Sequence, residues 1–233
     1  MFLLEPPPTP LDLKWQMFGI PVRVHPLFWL VTAFLGLGAL RQGFAYLLLW
    51  VVCVFVSILI HELGHVIVGK MFGSHGHILL YSFGGLAIGS GKLAERWQRI
   101  AVCLAGPGSQ FLLLILVAFP YAAYSVATQG EGSVFLSEFF FFLFIINGFW
   151  AVLNLMPIWP LDGGQVSREI FEALNPATGQ RTSLMVSLVC AVVLAVAGLF
   201  LSFYTALLFG SLAFCSWQLL YPPGAQPTLD QKP

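Results

Sequence analysis

FAYLLLWVVCVFVSILIHELGHVIVG, residues 44–69, is an apolar run with one charged residue, Glu62, toward its end. A helix of about 20 such residues crosses the hydrocarbon of a bilayer, so the stretch reads as a transmembrane span. Within it, His61-Glu62-Leu63-Gly64-His65 sets two imidazoles four residues apart, on one helical face, where both can reach a single metal with Glu62 beside them as a general base. At 1.5 Å of rise per residue, His61 lies about 12 Å of helix before Gly69. Ionisable groups at such depth cost on the order of several kcal/mol unless they are paired, metal-bound or facing water. A cluster that only glued helices together would be built more cheaply from Ser or Thr.

Composition extends the reading to the whole chain. It is 58% hydrophobic and 9% charged, with 22 Phe, against roughly 25% charged in a soluble domain. The expectation is an all-α polytopic membrane protein with about six transmembrane helices, near 26–40, 44–69, 98–126, 136–156, 183–202 and 203–221, and a short membrane-associated β-hairpin. Segments 1–25 and 222–233, rich in Pro, read as an N-terminal cytoplasmic tail and a C-terminal tail around a single transmembrane domain, 26–221. Met1–Glu5 has no basic residue and no small-residue cleavage site, which marks a retained end rather than a signal peptide. A formal net charge of zero gives no hint of nucleic acid. Cys53, Cys103, Cys190 and Cys215 are far apart in apolar stretches and read as core residues. Placing the N-terminus inside puts Lys14, Arg23, Lys70, Lys92, Arg96, Arg99, Arg168, Arg181 and Lys232 on the cytoplasmic side and only Arg41 outside. The expected home is the cell (inner) membrane, with both termini cytoplasmic.

A catalytic zinc needs a third protein ligand and an open position for water. Asp12 and Asp230 lie in the tails, leaving Asp162 as the one Asp near a membrane segment, in Asn154-Leu155-Met156-Pro157-Ile158-Trp159-Pro160-Leu161-Asp162-Gly163-Gly164. Pro157 and Pro160 end a helix, and the two glycines let the backbone turn closely past the carboxylate. Asp162 reads equally as the third ligand and as the cap of the amphipathic stretch Gln165–Leu174. Residues 77–91 hold two short apolar runs joined by glycines, a hairpin at the membrane border. Its edge can pair with an unwound substrate segment or serve as a re-entrant cover. His75 and His77 read as a polar turn rather than a second metal site, and His25, before Pro26, as a juxtamembrane residue.

His61–His65 in an early span combined with Asn154…Asp162-Gly163-Gly164 in a later one resembles the site-2 proteases, the intramembrane zinc metalloproteases. The resemblance also covers Ile20–Pro26, Phe83-Gly84-Gly85 and Ala105-Gly106-Pro107, so it runs from about residue 18 to 175. It implies a site-2 protease-like core formed by the second, third and fourth spans. It further implies His61, His65 and Asp162 as zinc ligands, Glu62 as catalytic acid/base and Asn154 as a hydrogen-bonding residue of the active site. After Ala-Gly-Pro the family commonly carries an Asn where this chain has Gln110. PDZ and CBS domains found in many relatives have no counterpart here, so the chain resembles a minimal, core-only member. The function implied is a zinc metalloendopeptidase that cleaves within or near the transmembrane segment of a membrane-tethered protein. The expected partners are a single-span substrate and the lipid bilayer, with a second copy of the chain as a further candidate. The alternatives are a catalytically silent membrane scaffold, which would lack Glu62 or Asp162, and a metal transporter, which would spread ionisable residues along several spans.

Overall fold

The computed structural model describes residues 6–82, 84–89 and 93–222. Residues 1–5 of the expected tail 1–25 and 223–233 of the expected tail 222–233, together with Lys92 and with Phe83 and Ser90-Gly91 of the expected hairpin, lie outside the described residues. The chain forms two compact units, Met1–Asn154 and Leu155–Pro233.

The first unit runs β1 (Leu13–Met17), β2 (Ile20–Val24), α1 (Pro26–Leu35), α2 (Phe44–Met71), β3 (His77–Tyr81), β4 (Gly84–Ile88), α3 (Arg96–Ala127) and α4 (Val134–Asn154), with a 3-10 turn Ala39–Gln42 before α2. The second contains α5 (Asp162–Leu174), α6 (Gly179–Leu201) and α7 (Phe203–Leu220). Among the described residues five helices, α2, α3, α4, α6 and α7, are long and apolar enough to cross a membrane, and α1 is a shorter apolar helix. Exposed positions on α3 include Phe111, Leu112, Ile115, Leu116 and Phe119, a surface suited to lipid rather than water. The phenylalanine run of α4 divides its work, with Phe140 and Phe142 buried and Phe141 exposed.

The first apolar segment is helical only over Pro26–Leu35, about 15 Å or half the hydrocarbon thickness. His25 is its N-cap, accepting the Leu27 N–H at 3.1 Å on Nδ1, and Pro26 occupies the first helical position. Gly36 ends it, lying so close to the Trp50 indole that a Cβ would collide. Trp50 Nε1 in turn donates to Thr32 O at 3.2 Å. Even so, the segment must carry the chain to the far end of α2. β2 before α1 and β3 after α2 pair in parallel, Val22–Val24 against Ile78–Leu80, so both strands lie at the same end of the α1–α2 pair.

The expected hairpin is present as β3–β4, in antiparallel register with Leu80 opposite Gly85. It belongs to a larger sheet ordered β1-β2-β3-β4. β1 and β2 arise from residues read in the sequence as tail. They join at Phe18 (φ 53°) and Gly19 (φ 69°), the left-handed pair that a tight hairpin requires. Phe in that conformation is uncommon, which hides the turn from sequence inspection. Val22, Val24, Ile78 and Leu80 of the sheet share one core with Phe28, Ile58 and Val66, so the sheet is fixed to the helices by apolar burial. On its outer side Arg23 donates to Pro6 O at 2.8 Å and lies 3.6 Å from Asp12. The Thr9 hydroxyl, 2.6 Å from Asp12, and the Arg23 charge hold the Asp12 carboxyl below its usual range.

Candidate functional site

On α2 the four-residue spacing has the expected geometric result. His61 and His65 are 3% and 6% exposed, and their Nε2 atoms lie 3.0 Å apart. Each ring is held from its other nitrogen by α3. His65 Nδ1 lies 2.7 Å from Val102 O, and His61 Nδ1 lies 3.0 Å from Gln110 Oε1. A carbonyl oxygen only accepts, so both Nδ1 atoms donate, and each neutral ring then turns an Nε2 lone pair toward the other. Two such lone pairs in contact repel unless a cation joins them. Two nitrogens each about 2.05 Å from a tetrahedral zinc sit ~3.3 Å apart, close to the observed spacing. The pair therefore fits a metal.

The close approach of α2 and α3 depends on two glycines. A Cβ on Gly64 would collide with the Ala105 carbonyl, and one on Gly106 would enter both imidazoles. Ser109 Oγ lies 2.6 Å from Gly106 O and 3.0 Å from Ile60 O, bonding the helices at this point. One turn earlier on α2, Ser57 accepts from Asn147 Nδ2 of α4 at 2.8 Å, and both residues are fully buried. Glu62, 5% exposed, is turned toward the sheet. Its Cγ and Oε1 occupy the space that a Cβ on Gly85 would need, so β4 passes its backbone directly against the carboxylate. Asn154, at the end of α4, donates from Nδ2 to Trp150 O at 3.0 Å, which uses one of its two amide N–H groups. His75 and His77 join no group of three potential ligands among the described residues.

In the second unit Asp162 is the first residue of α5 and is 8% exposed. Leu161 is the N-cap and makes no side-chain capping bond, so Asp162 is not the cap of the amphipathic helix. Instead, the helix N-terminus favours its negative charge. Cβ atoms on Gly163 and Gly164 would strike the backbone of Leu155–Met156 and Ile158–Trp159. The preceding loop is thus folded onto the first turn of α5. It is tied down by Leu161 N–H to Ile158 O at 2.8 Å and by Trp159 N–H to Ser187 Oγ at 2.7 Å. Ser187 continues to Ser216 of α7 at 2.7 Å, and both hydroxyls are buried. Sequence reasoning met Gln110 only as a departure from the family's usual Asn, and did not find Ser187 or Ser216, because each acts through a neighbour on another helix and none carries a charge.

The chain is similar to known proteins. The model of Peptidase family M50 matches residues 125–198, which include Asn154 and Asp162. Stage IV sporulation protein FB of Bacillus subtilis is 32% identical over 169 residues, covering 70% of this chain and 52% of that protein. Zinc metalloprotease MJ0392 of Methanocaldococcus jannaschii is 29% identical over 158 residues, covering 67% of this chain and 44% of that protein. The chain thus spans about half the length of these relatives. A solved structure, the site-2 protease from Methanocaldococcus jannaschii, superposes with a TM-score of 0.58 at 22% identity, covering 90% of this chain and 95% of that one, which is a likeness of fold. On the family model and these relatives, the chain belongs to peptidase family M50, the site-2 proteases.

Proposed function

We propose that the chain is an intramembrane zinc metalloprotease that hydrolyses a peptide bond within or beside the membrane span of a single-span protein. The observation that carries the reading is the His61–His65 pair, buried in an apolar helix with Nε2 atoms 3.0 Å apart. Asp162 is the third ligand in this proposal. It is supported by its own setting, a carboxylate buried at the first position of α5 and the one Asp outside the tails, as His61 and His65 are buried on α2.

Zinc held there would supply Lewis acidity and a water that ionises near neutral pH. Glu62 accepts the proton of the attacking water and passes it to the leaving amine. Asn154 offers its remaining N–H to the scissile carbonyl, and Asp162 holds a negative charge favoured by the α5 dipole. A helical substrate hides its carbonyls in its own hydrogen bonds, so it must unwind before it can react. β4, last in the sheet order, is where an extended segment can add, with its backbone beside Glu62. Lys14, Arg23, Lys70, Arg96 and Arg99 belong to strands or helix ends on the sheet side of the first unit, and Arg41 to the turn at its other end. This supports an N-terminus inside and cleavage near the cytoplasmic face.

Glu62→Gln tests the mechanism. The variant is expected to keep one zinc per chain while cleavage falls by about 10²–10⁴-fold. In cells, single-span proteins should accumulate uncut in its membrane proteome relative to wild type. Normal turnover by the variant would overturn the mechanism.

A further inference from the structure

His65 takes its orientation from a backbone carbonyl, Val102 O, which any residue at that position would supply. His61 takes its own from a side chain, the Gln110 amide on α3. Gln110 is fully buried, and its Nε2 has no hydrogen-bond partner among the described residues. Leaving a buried donor unsatisfied costs about 1–3 kcal/mol. Rotating the amide would bring Nε2 to His61, but Nδ1 would then have to accept, the ring proton would move to Nε2, and the lone pair facing His65 would be lost. The costly orientation is the one that leaves both imidazoles able to bind a metal.

We propose that Gln110 is a positioning residue for the metal centre, fixing the His61 ring and its tautomer through Oε1 while its own N–H groups go unpaired. The proposal rests on the zinc reading above. Its acceptor is the working part. Gln110→Met preserves length and bulk but removes it, and Gln110→Glu preserves it as a carboxylate, a common partner of a metal-bound imidazole.

The test uses the purified full chain in lipid nanodiscs. Zinc affinity is measured by chelator competition, the visible spectrum after cobalt substitution reports ligand geometry, and thermal unfolding of the metal-free form reports the fold. Gln110→Met is expected to bind zinc about 10–100-fold more weakly and to shift the cobalt bands. Gln110→Glu should bind at least as tightly as wild type with the wild-type spectrum. If Met and Glu variants match wild type, or if both weaken zinc equally, the acceptor is irrelevant and the inference fails while the zinc reading stands. Wild-type protein that takes up neither metal overturns both.

Discussion

Gly106 sets the distance between α3 and the two imidazoles, and no side chain fits between them. Gly106→Ala should therefore push a methyl group into His61 and His65, lowering zinc occupancy at least tenfold while costing the fold only about 1–3 kcal/mol. Gly108, with open space around it, provides the control, since Gly108→Ala should retain metal. Metal analysis beside a thermal melt separates the outcomes, and full zinc in Gly106→Ala would show that α3 yields there. At this scale the histidine pair was legible because helical geometry converts a four-residue spacing directly into a shared face. Gln110 was not legible as a partner, because its contact depends on how α3 is rotated against α2, which spacing along either helix does not specify.

At the scale of elements, the sheet shows what patterning reveals and what it conceals. β3 and β4 announce themselves as apolar runs joined by glycines, whereas β1 and β2 meet at Phe18-Gly19 and resemble a tail. The position of β3 between two partners also decides which strand the proposed substrate pairing would use. Leu80 lies in an inner strand, opposite both Val24 and Gly85, so a proline there would break the sheet itself. β4 is last in the sheet order among the described residues. Prolines placed singly at 86, 87 and 88 should thus divide by alternation. Those that remove an outward N–H should lose cleavage and keep zinc, and those that remove an inward one should also loosen the hairpin. Cleavage assays with parallel zinc analysis check this, and activity in all three would rule out strand addition at β4. Likewise, the loop before Asp162 could be read as broken backbone from its prolines and glycines. Its tether through Ser187 to Ser216 could not, since serines in apolar helices carry no positional signal of their own.

Over the whole first unit, α2 is long and apolar enough to cross the membrane, and the parallel pairing of β2 with β3 puts both strands at one end of it. With the four native cysteines replaced by alanine, a cysteine at Gln42 should react with an impermeant maleimide from outside intact cells. One at His75 should react only in inverted vesicles, as the distribution of cations requires. Reaction of both from the same side would refute the arrangement. The same pairing also orders events on the ribosome. β1 and β2 emerge first, yet their partner β3 lies beyond residues 25–76, which hold α1 and α2. At translation speeds of roughly 5–20 residues per second, the hairpin waits on the order of 3–10 s for that partner. It can be joined only after α2 has brought the chain back, so closure of the sheet records that α1 and α2 have completed their out-and-back path. A chain whose α2 failed to return would keep an unpaired edge at β2, a row of open backbone groups ready to pair with another chain.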